Sequence, residues 1–231
     1  MPAFRREVAK RVFAKEYNDS SITFKGDDRY SPLYLLTPTG VKCNRIFVVG
    51  ILLEKEDVGG EGEFWRIRVS DHTGAFVGYV GRYQPEALQS LASIEPPQYV
   101  AVSGKVNVYE GENRVLVSIR PEEISVSDAG TREIWTLETA RYTLDRIEAL
   151  EKLSTEEAKL AMEKYSPDPQ IYRDMVKEAL KSLIGDMGPL DEEKEEPEED
   201  MEEELFGEPS QVSLDELDEI LMDEEWDLSK F

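Results

Sequence analysis

The 231-residue chain is 40% apolar and 33% charged, and its 50 acidic residues against 27 basic ones give a formal net charge of −23. Of these, 21 acidic residues but only two basic ones lie from Asp186 onward, so the first 185 residues carry a net of −4. Acidity confined to a tail excludes the evenly acidic surface of a halophilic protein and leaves the body able to meet nucleic acid.

Residues 1–17, MPAFRREVAKRVFAKEY, place Phe4, Val8, Val12 and Phe13 on one side of a predicted amphipathic helix among Arg5, Arg6, Lys10, Arg11 and Lys15. A docking helix is preferred to a phosphate contact. Glu7, Glu16 and the lack of serine speak against a transit peptide, and no apolar h-region of a secretory signal is present. With no apolar stretch near the ~20 residues that span a bilayer, the protein is expected to be soluble and cytoplasmic. A single cysteine, Cys43, and a single histidine, His72, exclude an intrachain disulfide and a Cys/His zinc site within one chain. Residues 18–43, with Gly26, Pro32, Pro38 and Gly40, read as a turn-rich lead-in.

The pattern then becomes strand-like. RIFVVGILLE (45–54) is a largely apolar strand whose Gly50 suggests a bulge or sharp coil. FWRIRVS (64–70) alternates, with Trp65, Ile67 and Val69 facing the core and Phe64, Arg66 and Arg68 facing away. The turn Asp71-His72-Thr73-Gly74 leads into a third strand, 75–80, whose two faces are both apolar and leave its orientation open. PEALQSLASI (85–94) is a short helix with proline at its start. YVAVSGKVNVY (99–109) puts Val100, Val102, Gly104, Val106 and Val108 on one face and Ser103, Lys105, Asn107 and Tyr109 on the other; RVLVSI (114–119) is the fifth strand. Three strands, one helix and two strands is the order of an OB-fold, a five-stranded Greek-key barrel, predicted over residues 44–128.

Beyond Gly130 the period turns helical. Ile134, Leu137, Arg141, Leu144, Ile147 and Leu150 or Glu151 step at threes and fours, and helices over 155–165 and 169–184 follow, so residues 131–184 form a helical segment with faces to offer a partner. The acidic run 185–212 is expected to be disordered by self-repulsion. Residues 213–231 open on a capping box, Ser213-x-x-Glu216, and carry Leu214, Leu217, Ile220, Leu221, Trp226, Leu228 and Phe231, the form of a peptide that folds against a partner. The fold class is therefore α+β, an OB barrel followed by helices and a disordered acidic C-terminal tail.

OB barrels bind oligonucleotides on the face of strands 2 and 3 and with the adjoining loops. The cationic and aromatic residues available for phosphates and bases are Phe64, Arg66, Arg68, Tyr79, Arg82, Lys105, Asn107, Tyr109 and Arg114, with Arg120 a weaker candidate. Ile134, Trp135, Leu137, Leu144 and Ile147 are the candidate assembly residues, against the plainer alternative of packing on their own barrel. Trp65 reads as core, His72 as a solvent-facing turn residue and Cys43 as a structural thiol. No GxxxxGK[ST], HExxH or GxSxG occurs. The reading is non-enzymatic, with no cofactor and no metal; a nuclease would have only Glu54, Glu63 and Asp71 as carboxylates, and nothing pairs them.

Several short pieces in order resemble archaeal replication protein A, second or middle-subunit type: Arg6-Glu7-Val8-Ala9-Lys10-Arg11-Val12-Phe13-Ala14, Pro38-Thr39-Gly40, Asn44-Arg45, Asp71-x-Thr73-Gly74, Gly81-x-Tyr83-Gln84-Pro85-Glu86-Ala87, Gly104-Lys105, and Thr131-Arg132-Glu133-x-Trp135 with Glu138-Thr139-Ala140. The resemblance covers roughly residues 5–150. It implies a non-catalytic subunit of a hetero-oligomer that binds and protects single-stranded DNA in replication, repair and recombination, associated with the nucleoid, whose post-barrel helix bundles with the other subunits. His72 departs from the usual proline of that turn, and residues 151–190 cannot form the winged helix such subunits often carry, so Leu214, Leu217, Leu221, Trp226, Leu228 and Phe231 are expected to recruit replication and repair proteins instead. The alternative is an assembly subunit whose barrel contacts protein and not DNA.

Overall fold

The computed structural model describes residues 7–26, 31–59, 64–111 and 115–186. Its N-terminal segment differs from the helix expected over residues 1–17. Residues 7–13 are not helical: the Lys10 amide donates to the Arg45 carbonyl (2.8 Å) and the Phe47 amide to the Lys10 carbonyl (2.9 Å), a parallel bridge that satisfies an otherwise open edge of the first barrel strand. Helix α1 is only Ala14–Asn18. Val12 and Phe13 enter the core as expected, while Val8 is exposed.

The lead-in also holds more structure than its turn residues suggest. Strands β1 (Ile22–Phe24), β2 (Tyr34–Leu36) and β3 (Lys42–Cys43) form a small antiparallel sheet in that order. The barrel follows with β4 (Arg45–Asp57), β5 (Phe64–Ser70), β6 (Ala75–Gly81), helix α2 (Pro85–Ala92), β7 (Gln98–Glu110) and β8 (Val115–Val126). It closes in the order β4-β5-β6-β8-β7, antiparallel throughout except for β6 beside β8, which is the five-stranded OB topology.

Alternation decides which side chains fill it. Ile67 and Val69, Phe76 and Val80, and Val100, Val102 and Val106 point inward and are buried. Gly50 serves a close approach and not the expected bulge: a Cβ there would lie 2.3 Å from the Ser70 carbonyl oxygen. The bulge falls between Leu52 and Glu54. β8 runs seven residues past the expected end at Ile119, because Pro121 is accommodated where the β7–β8 register shifts beside Gly104.

Helices α3 (Ala129–Lys152), α4 (Glu156–Tyr165) and α5 (Pro169–Asp186) complete the described residues. Asp128 caps α3 by accepting from the Thr131 amide (2.9 Å). The face that α3 buries is Trp135, Thr136, Thr139, Ala140, Thr143, Ile147 and Leu150. Trp135 donates its indole N–H to the Phe47 carbonyl (2.9 Å) and meets the Phe13 ring edge-on at 5.8 Å. Thr136 and Thr139 return their hydroxyls to the carbonyls of Arg132 and Trp135, so neither buried hydroxyl is left open. α5 packs on α3 and buries Tyr172, Met175, Val176, Ala179 and Leu183. α4 closes over the small sheet, where Tyr165 accepts from the amides of Ser21 and Ile22 and donates to the Leu36 carbonyl.

Two buried carboxylates tie α1 into this frame. Glu16 accepts from the Phe13 amide (2.7 Å), the Thr39 hydroxyl (2.6 Å) and the Arg146 guanidinium (2.8 Å). Asp71 accepts from the Ala14 amide (2.7 Å) and from the amide and hydroxyl of Thr73 (2.6 and 2.8 Å).

Candidate nucleic-acid interface

The orientation of β6, open from sequence, follows from its burial: Phe76, Gly78 and Val80 point inward, so Val77 and Tyr79 face out. On β5 the outward residues are Phe64, Arg66 and Arg68, and the registers Arg66↔Tyr79 and Arg68↔Val77 set the two strands' outward sets side by side. Phe64 and Tyr79 stack, with ring centroids 5.7 Å apart and planes 10° from parallel. The chain returning from β4 braces this pair, since the amides of Val58 and Gly59 both donate to the Phe64 carbonyl (2.9 and 3.1 Å).

Both arginines meet carboxylates from the neighbouring strand. Arg66 reaches Glu56 at 2.7 Å and Arg68 reaches Glu54 at 3.4 Å. Burial lifts the Tyr79 phenol above its ordinary pKa, with Arg66 opposing that rise and Glu56 adding to it. The ring is therefore neutral at physiological pH, as a platform for a base requires. Just past β6, exposed Arg82 lies over the Tyr83 ring, 5.1 Å from its centroid, and donates to its hydroxyl (3.1 Å). Tyr83 is 59% exposed and so presents a further aromatic surface just past the end of β6.

No known family's sequence profile matches the chain, and no curated protein matches its sequence. Among solved structures it is similar to a chain of the S. pombe Stn1–Ten1 complex, with a TM-score of 0.45 and 16% identity over 58% of this chain and 90% of that one. It is likewise similar to a chain of a replication protein A heterotrimer bound to single-stranded DNA: TM-score 0.44, 15% identity, 61% of this chain and 98% of the other. A third is the second single-stranded DNA binding protein of Mycobacterium smegmatis, with a TM-score of 0.30 and 20% identity over 36% and 86% of the two chains.

The remaining predicted contacts fall elsewhere on the barrel. Lys105, Asn107 and Tyr109 lie on β7, which is separated from β5 and β6 by β4 on one side and β8 on the other. A single cross-strand row nevertheless links the two regions. Gly78 pairs with Ile119, the residues that follow, Tyr79 and Arg120, both leave the core, and Arg120 pairs with Lys105, itself opposite Arg45. Arg45 is held by Glu122 and Ser103, and Asn107 donates to the Ser118 hydroxyl (3.1 Å). Arg114 lies outside the described residues, as do the predicted recruitment residues Leu214, Leu217, Leu221, Trp226, Leu228 and Phe231.

The assembly residues divide. Trp135 and Ile147 are buried against this chain's own core, whereas Ile134 and Leu137 are 62% and 55% exposed and Leu144 lies on the same exposed stripe. His72 is not solvent-facing. Its Nδ1 meets Ser182 of α5 (2.6 Å) and Arg132 of α3 (3.0 Å), tying the β5–β6 turn to the helices. Cys43 is buried, and burial pushes its thiol up to about 12, which fits a structural thiol. Of the nuclease carboxylates, Asp71 is saturated by its donors, Glu54 is engaged by Arg68, and Glu63 lies outside the described residues. Among the described residues no group of three or more His, Cys, Asp or Glu side chains could hold a metal ion, and no helix is long and apolar enough to cross a membrane.

Sequence reasoning missed Tyr83 and Glu56 here and considered Glu54 only as a nuclease carboxylate. Tyr83 carries a legible signal, an aromatic beside an arginine at the end of strand 3. The two glutamates carry none, because their facing depends on a bulge.

Proposed function

We propose that the chain is a non-catalytic subunit of a complex that binds single-stranded DNA, with the outward face of β5 and β6 as its binding surface. One observation carries this reading: the Phe64–Tyr79 ring pair stands beside Arg66 and Arg68 on the sheet face that OB barrels use for oligonucleotides. Unpaired bases stack on such rings for ~1–3 kcal/mol each, and guanidinium groups beside them take the phosphates. Arg82 and Tyr83 extend the surface past β6, and Arg120, Lys105, Asn107 and Tyr109 continue it toward β7. Such a protein serves wherever strands lie open, in replication, repair and recombination, and the apolar residues of 213–231 recruit the enzymes that act there.

The test is binding of a labelled single strand of about 30 nucleotides to the full chain across a salt series. Arg66→Ala/Arg68→Ala is expected to weaken binding at least tenfold and to flatten the salt dependence. Undiminished binding by that variant sinks the assignment of this face.

The exposed stripe Ile134, Leu137 and Leu144 supports a second function of the same subunit, assembly through α3. Leu137→Asp is expected to abolish association with a partner subunit while leaving thermal unfolding of the isolated chain within a few degrees of the parent. If association survives Leu137→Asp and Ile134→Asp together, α3 is not the assembly surface. A chain that assembles but never binds DNA would instead be a protein-contacting scaffold.

A further inference from the structure

The carboxylates facing Arg66 and Arg68 are placed there by a defect in the sheet. Leu52 pairs with Val69, but the next pair is Glu54 with Arg68, so Leu53 is the extra residue of a β-bulge. An unbulged β4 would set Leu53 opposite Arg68 and Lys55 opposite Arg66. The shift sets Glu54 and Glu56 there instead, and sends Lys55 to the other face, where it lies over the Trp65 ring and bonds the Leu91 carbonyl and Glu95. β4 has already parted from β7 at Leu52, so this half of the strand pairs only with β5 and its side chains stay within reach of solvent.

We infer that Glu54 and Glu56 determine the protein's preference for single strands over duplex by competing with phosphate for Arg66 and Arg68. The inference rests on the reading above, that this face binds single-stranded DNA. Attraction between arginine and phosphate is common to every nucleic acid and carries no information about strandedness. Stacking on Phe64, Tyr79 and Tyr83 is open only to unpaired bases. A phosphate arriving at Arg66 or Arg68 must displace a carboxylate that remains close by and repels it; duplex, with about twice the charge per unit length of one strand, meets more of that repulsion, while the stacking open only to unpaired bases is untouched. The ion pairs suit exchange: the Arg66 and Glu56 side chains are 22% and 56% exposed.

The test compares the full chain with Glu54→Gln/Glu56→Gln, measuring dissociation constants for a ~30-nucleotide single strand and its duplex between 50 and 200 mM salt. Removing two competing charges is expected to tighten single-strand binding several-fold and duplex binding by more, so that the preference ratio falls at least ~3-fold and the salt slope steepens by about one. Glu163→Gln/Glu178→Gln, on α4 and α5, makes the same change in net charge and should leave the ratio where it was. A ratio that stays constant or rises in the first variant overturns the inference, and so does an equal fall in the second. Glutamine keeps the size and polarity of each side chain, and thermal unfolding within a few degrees of the parent establishes that both variants fold. The two readings fail separately. If Arg66→Ala/Arg68→Ala weakens single-strand binding while the glutamine variant leaves the ratio alone, only the competition is wrong; if the alanine variant binds undiminished, the face itself is wrong.

Discussion

Arg146 meets Glu16 at 2.8 Å and Arg66 meets Glu56 at 2.7 Å, yet the two pairs belong to different kinds of structure. The Glu16 side chain is fully buried and Arg146 is 14% exposed; around them the Phe13 amide and the Thr39 and Thr143 hydroxyls use the remaining acceptor capacity, and Arg146 donates again to Thr39, Thr143 and the Arg11 carbonyl. That network joins α1, the lead-in and α3 to one another. Among the described residues Arg66 and Glu56 have no comparable surround, and they stand at the edge of the proposed ligand face. Distance alone does not say whether an ion pair holds a fold together or holds a binding residue in reserve. The surrounding donors and the path to solvent decide it.

The difference predicts its largest effect at Arg146. Arg146→Ala leaves the Glu16 carboxylate buried without its cation, and breaking such a pair costs about 3–5 kcal/mol. Urea unfolding should show that loss, with Glu16→Gln losing less because its amide oxygen still accepts from Phe13, its amide N–H donates to the Thr39 hydroxyl in place of the lost acceptor, and Arg146 retains a path to water. A loss under ~1 kcal/mol for Arg146→Ala would place the buried pair in the same class as the exposed ones.

Asp71, the second carboxylate fixing α1, gives a smaller effect with a definite sign. Burial raises its pKa from 3.8 to about 6, against the opposing pull of the Ala14 and Thr73 donors. An unfolded aspartate titrates at about 3.9, so between these values the folded state holds the extra proton. The stability this contributes is present at acid pH and is lost as pH rises through 6, amounting to about 1 kcal/mol between pH 5 and 7. The amide introduced by Asp71→Asn does not titrate. The unfolding free energy of the parent, minus that of Asp71→Asn, should therefore fall by that amount from pH 5 to pH 7. A difference that rises instead would mean that the donors, and not burial, govern the carboxyl.

How much of this was legible in the sequence depends on what each residue's placement depends on. β5 and β7 read directly because strict alternation is local, and the outward set Phe64, Arg66 and Arg68 came with it. β6 could not be oriented from sequence, since Phe76, Val77, Tyr79 and Val80 are apolar on both faces, and only its partners β5 and β8 resolve it. α3 reads only in part. The spacing offers Ile134, Leu137 and Leu144 to a partner, and they are exposed, but Trp135 and Ile147, grouped with them, lie on the core face, where Thr136 and Thr139 donate to carbonyls of their own helix and Thr143 donates to Glu16. The N-terminal segment failed because Lys10 pairs through its backbone with β4, a contact that no side-chain period announces. The Glu54–Arg68 and Glu56–Arg66 pairs were invisible for the reason that makes them informative: one extra residue at Leu53 decides which side chains face the arginines.

The smallest expected effect completes the contrast. Exposed ion pairs typically contribute about 0–1 kcal/mol, because solvent screens them and ordering two long side chains opposes the gain. Glu56→Gln and Glu54→Gln should each lower the unfolding free energy by less than about 1 kcal/mol, and high salt should erase most of that. The same substitutions are expected to move DNA affinity several-fold. A large change in binding beside a negligible change in stability is the signature of a pair whose partner can be exchanged for a ligand. A stability loss near that of Arg146→Ala would instead make Glu54 and Glu56 structural cross-strand braces of the β4–β5 edge, and would remove the physical reason for treating the two arginines as available to phosphate.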